Sequence, residues 1–179
     1  MALLIHRTTF ETKYDDPNDH PLADYIQRGR GADNSDLDAL VNIPKKYWKV
    51  VDDDRLAAMD TGERAVVDAA AVPSLKGAAL SALGLQVTEY IGAKYSEPLQ
   101  RTLLALEQKA RADGKINKAN YIKQLFDWAE NVLGYYVTKA GELSAAADVA
   151  ALTAISIDLT QFDASDPQIK LPNVLAITD

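Results

Sequence analysis

The chain has 179 residues, 47 % of them apolar, and a formal net charge of −7. That much apolar content excludes global disorder, and the acidic balance argues against nucleic acid as a partner, because phosphate binding needs a cationic face. With no cysteine, disulfides and thiolate metal sites are excluded.

Residues 1–42 read as an extended N-terminal arm. Ala2-Leu3-Leu4-Ile5 and Thr8-Thr9-Phe10 are β-compatible without helical spacing. The opening is too short for the apolar region of a signal peptide and has no cleavage site after it. Asp15-Asp16-Pro17-Asn18-Asp19-His20-Pro21 is a turn cluster. A short helix is predicted over Leu22 to Gln27, ended by Gly29 and Gly31, and Ser35 is placed to cap a helical turn through Leu40.

Residues 43–154 read as a β-hairpin followed by a helical bundle. Tyr47-Trp48-Lys49-Val50-Val51 is aromatic and β-branched, Asp52-Asp53-Asp54 is a turn, and Arg55 to Ala58 can return as the second strand. Asp60, with Glu63 three residues on, has the spacing of a capping box for a helix from Thr61 to Val72, which Pro73 is predicted to break. Ser74 reopens a helix to about Tyr95, with Leu75, Ala79, Leu83, Val87 and Ile91 in a stripe. A third helix starts at Ser96, with Pro98 in its first turn and Leu99, Leu103, Leu106 and Ala110 on one side, and Gly114 ends it.

The stretch from Asn117 to Ala151 is the strongest signal. Ile122, Phe126, Ala129, Leu133, Tyr136, Ala140, Leu143 and Ala147 recur at alternating steps of four and three, a heptad seam. Leu125, Val132 and Val137 widen it. As one helix it would measure about 45–50 Å. Ile122, Phe126, Leu133, Tyr136 and Leu143 are therefore the candidate partner or self-association residues. Tyr121, Trp128, Tyr135 and Tyr136 could line a ligand groove, but packing explains them without one. No uninterrupted apolar run reaches the length of a membrane span, so no membrane partner is expected.

Residues 155–179 read as an extended C-terminal arm. Ile155, Ile157 and Leu159 alternate with Ser156 and Asp158 as in a strand, a turn cluster follows at Asp163 to Pro167, and Pro172 prevents a long helix through the apolar islands beyond. The fold class is thus mainly α: a hairpin of long helices plus a third helix, preceded by a β-hairpin and flanked by arms.

Chemistry is sparse. His6 and His20 have no second histidine at metal or triad spacing, and there is no nucleophile elbow and no phosphate-binding glycine loop. The acidic turns Asp15–Asp19 and Asp52–Asp54 lack the distal glutamate of an EF-hand. No catalytic residue, cofactor or metal is expected. Arg28 with Arg30, and Lys45 with Lys46, are basic pairs that fit acidic protein surface or water.

Two segments carry a resemblance. Asn42-Ile43-Pro44-Lys45-Lys46-Tyr47-Trp48-Lys49-Val50-Val51, with Met59-Asp60-Thr61-Gly62-Glu63-Arg64-Ala65-Val66-Val67-Asp68, resembles a strand, turn, strand and helix start that recurs in tailed-bacteriophage virion proteins. Ser156-Ile157-Asp158-Leu159-Thr160-Gln161-Phe162-Asp163-Ala164-Ser165-Asp166-Pro167 is similar to the exit from the helical middle of such proteins. A glycine is more usual where Asp52-Asp53-Asp54 stands, and the first forty residues lie outside the likeness. The resemblance implies a non-catalytic virion structural protein that docks on other virion subunits. It would be a tail fibre or fibre-attachment protein, or alternatively a head fibre or capsid decoration protein. It implies a homo-oligomer, a trimer being one form, assembled in the host cytoplasm. A small-ligand-binding helical domain is the competing class.

Overall fold

A computed structural model describes residues 2–21 and 23–178. Met1 and Asp179, the ends of the expected arms, and Leu22, the start of the expected short helix, lie outside the described residues. The chain divides into two compact units, Met1–Ala71 and Val72–Asp179.

The first unit opens with strands β1 (Ala2–His6), β2 (Thr12–Asp15) and β3 (Tyr25–Arg28). They form an antiparallel sheet in the order β2-β1-β3, with Leu4 opposite Lys13 and Gln27. The expected N-terminal arm is therefore corrected to a folded sheet. The predicted helix through Gln27 is corrected to β3, because pairing with β1 satisfies backbone groups that a helix two turns long satisfies poorly. Helix α1 (Ser35–Leu40) follows, with the Asp33 carboxylate accepting the Ser35 N–H at 2.9 Å.

A 3₁₀ turn at Lys45–Tyr47 leads into the predicted hairpin, β4 (Trp48–Val50) and β5 (Leu56–Ala58), with Val50 opposite Leu56. Its acidic turn is also 3₁₀, and Asp54 holds φ +59°. Ile5, Phe10, Ile26, Leu40, Trp48 and Leu56 form the core of this unit.

Helix α2 (Thr61–Lys94) starts with the predicted capping box. The Glu63 N–H donates to Asp60 Oδ1 at 2.9 Å, and the Asp60 N–H donates to Glu63 Oε2 at 2.8 Å. It does not stop at Pro73 but runs 34 residues through it. Proline at an interior position removes the bond to the carbonyl four residues back, here that of Ala69. Ala69 and Pro73 are both exposed, so water can take that carbonyl.

In the second unit, the remainder of α2 is joined by α3 (Glu97–Ala112) and α4 (Ile116–Ala145). Pro98 sits in the first turn of α3, and Gly114 at φ +74° makes the tight return to α4. Helix α4 ends six residues short of the predicted Ala151. Asp148 then accepts the Ala151 N–H at 2.7 Å and caps a separate helix, α5 (Val149–Ala154). The core joins Leu83, Val87, Tyr95, Leu103, Ile122, Leu125, Trp128, Val132 and Leu143.

The expected C-terminal arm is also corrected. Residues 155–178 are a strap on the helices, ending in α6 (Leu171–Ala176), with Ile169 and Val174 buried in the core. Ile155, Ile157 and Leu159 do alternate inward with Ser156 and Asp158, but no strand pairs with them. The period reported which side chains turn inward, and helices rather than a sheet receive them.

Candidate functional site

The candidate partner residues separate by burial. Ile122 and Leu143 are buried in the core of their own unit, and Phe126 and Tyr136 pack against it half-buried. Leu133 is different: it is 49 % exposed, and Val132 beside it is buried instead. The expected seam is corrected here: between Ile122 and Leu143 the buried side of α4 runs through Leu125, Trp128 and Val132, the row expected only to widen the seam, and this leaves Leu133 on its outer edge. Of the five candidates, Leu133 is left as the apolar side chain most available to a partner. Val137, one turn on, is 65 % exposed. Trp128 is core, its indole N–H donating to the Phe162 carbonyl at 3.0 Å.

Helix α2 supplies a larger surface that reading for stripes passed over. From Val72 to Thr88 its one charged residue is Lys76, whose ammonium donates to the Ser144 carbonyl at 2.7 Å, in the last turn of α4. There it also complements the negative end of that helix. The outward side is left to Ser74, Leu75, Ala78, Ser81, Ala82 and Leu85, with Leu85 59 % exposed. In the first unit's share of α2, Val66 is 70 % exposed. The signal in the sequence was the absence of charge over these turns rather than any apolar periodicity.

The same helix has a further property that unbroken apolar runs do not reveal. Counted by composition instead of by unbroken runs, α2 is long and apolar enough to cross a membrane, with an 18-residue window of mean hydropathy 1.3 that is 11 % buried.

Polar chemistry in the second unit gathers where the strap is pinned. The Tyr95 hydroxyl donates to Asp166 Oδ1 at 2.6 Å and accepts the Ile169 N–H at 3.0 Å. Lys94 reaches Asp163 at 2.8 Å and Asp166 at 3.3 Å, and the Tyr90 hydroxyl donates to Asp163 at 2.7 Å. Burial pushes the Tyr90 phenol up to about 12, with its bond to Asp163 adding to the rise. Burial also raises the Tyr95 phenol, helped by Asp166. Asp166 is pushed upward by its own burial, but the Tyr95 hydroxyl, the Gln168 N–H and Lys94 outweigh this and hold it below the usual carboxylate range. Each polar group in this cluster is answered by another, which describes a fastening.

In the first unit the corresponding knot is Arg28 with Asp36. Asp36 is buried and Arg28 largely covered, and they meet through two bonds of 3.0 and 2.6 Å. Asp36 also accepts the Leu56 N–H at 2.8 Å, which ties α1 to the hairpin. Burial pushes the Asp36 carboxyl upward; Arg28 and the N–H groups of Leu56 and Leu37 overrule it, so the net shift is downward. Arg7 forms a second fork, on Asp54, at 2.8 and 2.9 Å.

His6 ends β1 and His20 follows the turn at Pro17–Asp19, and each ring lies 5.1 Å from the Tyr25 ring. Among the described residues no three His, Asp or Glu side chains are grouped to hold a metal ion. Comparison with protein families, curated proteins and solved structures finds no match.

Proposed function

We propose that this chain is a non-catalytic structural component of a tailed-bacteriophage virion, a tail-fibre or fibre-attachment protein that associates with its own copies and docks on other virion subunits. The carrying observation is the outward side of α2 from Val72 to Thr88, whose one charge is turned into its own unit. A helix apolar on its outward side gains when another surface covers it. Leu133 and Val137 add an exposed apolar pair on α4. The virion assignment itself comes from the residue patterns at 42–68 and 156–167, which also fit a head fibre or capsid decoration protein.

Light scattering on the purified chain tests the reading. The wild type should run as an oligomer, and Leu85→Asp should run as a folded monomer, because an aspartate enclosed in an apolar interface is costly. A wild-type monomer at about 100 µM, about a hundred times the dissociation constant of a micromolar complex, would overturn it.

One observation favours a second reading. The composition of α2 also suits contact with lipid acyl chains. Co-flotation with neutral phosphatidylcholine vesicles, lost in Leu85→Asp, would support that reading against the virion one.

A further inference from the structure

We propose that the first unit carries a binding site for a small phosphomonoester with a neighbouring hydroxyl, of the sugar-phosphate class. The site is a cavity of about 370 Å³ lined by His6, Glu11, Thr12, Lys13, Tyr25 and Lys45. This is independent of the assembly reading, which concerns α2 and α4.

The His6 ring is held by the turn that follows β1. Its Nδ1 accepts the N–H groups of Thr8 and Thr9, both at 3.2 Å. Only a neutral imidazole with its proton on Nε2 can do so, which fixes the tautomer. The ring stands edge-on to Tyr25, with the planes at 85°. Among the described residues nothing accepts the Nε2–H, so the His6 ring that lines the cavity carries a donor that lacks an acceptor.

Two cations join it. Lys13 on β2 lies with its ammonium 5.1 Å from the Tyr25 ring centroid. Its nearest carboxylate oxygen, Asp15 Oδ2, is 3.8 Å away and already bonded to His20 Nε2 at 3.0 Å. That ammonium therefore keeps donors to spare. Lys45 arrives from the turn before β4. Its neighbours are engaged, Lys46 with Asp68 at 2.8 Å and Lys49 with Glu63 at 2.6 Å, whereas Lys45 has no ion pair among the described residues.

Three nitrogen donors from three elements suit a tetrahedral oxyanion, which offers three terminal oxygens where a carboxylate offers two. Glu11 is the acid in the lining. It disfavours filling the cavity with phosphate alone and accepts a hydroxyl next to the phosphate. The cavity falls in the size range of small-ligand sites. The chain as a whole is acidic and offers anions no general attraction, so phosphate binding would have to come from a local arrangement.

The full chain is titrated with glucose 6-phosphate, inorganic phosphate and glucose at fixed ionic strength, with binding read by calorimetry. Glucose 6-phosphate should bind most tightly, phosphate more weakly and glucose not measurably. His6→Asn removes the Nε2 donor while its Oδ1 can still accept from Thr8 and Thr9, and Lys45→Gln removes an exposed charge. Each should weaken glucose 6-phosphate about tenfold. Lys123→Gln, on α4, should change nothing. If His6→Asn fails to fold by circular dichroism, Lys45→Gln decides alone. The proposal is overturned if the wild type takes up no glucose 6-phosphate at about 10 mM, beyond the weak end of ordinary affinities. It is equally overturned if phosphate binds as tightly as glucose 6-phosphate, or if Lys45→Gln binds as well as wild type.

Discussion

The first unit is built from strands of three to five residues and one helix of six before α2 begins, and the second from helices of up to thirty. Short elements bring few side chains to a common core, so the first unit closes its layers with buried polar knots, Arg28–Asp36–Leu56 above all. Long helices align whole rows, so the second unit buries Leu83, Leu103, Ile122 and Val132 with no polar partner and keeps its knots for the strap. In the first unit a lost charge should hurt more than a lost methyl group. In the second, losing the knots should free the strap and leave the helices standing.

Arg28→Ala should be the most damaging single change to the first unit. It strands the buried Asp36 carboxylate, and losing one partner of such a pair costs about 3–5 kcal/mol. Amide hydrogen exchange should accelerate throughout β1 and β3 while Leu103 and Ile122 keep their protection. Protection that drops equally in α3 and α4 would show that the units do not differ in this way.

Tyr95→Phe comes next. It removes the hydroxyl from Asp166 and from the Ile169 N–H, worth about 1–3 kcal/mol. Limited proteolysis should then cut within residues 155–178 and leave α3 and α4 intact. If the variant and the wild type are cut at the same rate, Tyr95 is no fastening.

The two units should also differ in their response to pH. Asp36 and Asp166 are both depressed, so their stabilisation is present above the ordinary aspartate value of about 4 and is lost as pH falls toward the depressed values. Tyr90 and Tyr95 are raised. Their stabilisation is intact below the unfolded tyrosine value of about 10 and is lost as pH rises from there through the Tyr90 value of about 12. Acid should therefore loosen both units, and base should release the strap first. Circular dichroism with proteolysis at pH 3 and pH 11 checks the order.

The smallest expected effect on stability is that of Leu133→Asp. A side chain 49 % exposed contributes little to its own fold, and such substitutions stay within about 0.5 kcal/mol. Its effect on sedimentation should be larger, with the oligomer shifting toward monomer.

What could be read from the sequence was local. The Asp60–Glu63 capping box, the hairpin at 48–58 and the return at Gly114 each declare themselves within a few residues. The N-terminal sheet did not, because β1 finds β3 some twenty residues away and a four-residue strand is too short for its period to stand out. Asp36 has the look of any surface acid, and Arg28, which makes its burial tolerable, is eight residues upstream. Leu133 was placed on the seam because its row and the neighbouring row through Leu125 and Val132 both keep helical spacing, and spacing alone does not say which of the two faces the core. The His6 site left no mark, since its donors come from β1, β2 and the turn before β4.

The two tryptophans of the chain fall one to each unit. Trp48 is buried in the first core with its N–H on the Ile43 carbonyl at 2.8 Å, and Trp128 in the second with its N–H on Phe162. The molecule thus carries a separate intrinsic fluorophore for each half. In Trp128→Phe the remaining emission reports the sheet and hairpin alone. In Trp48→Phe it reports the bundle and, through Phe162, the seating of the strap. A red shift in one variant that precedes the other would time the two halves independently, with no label attached.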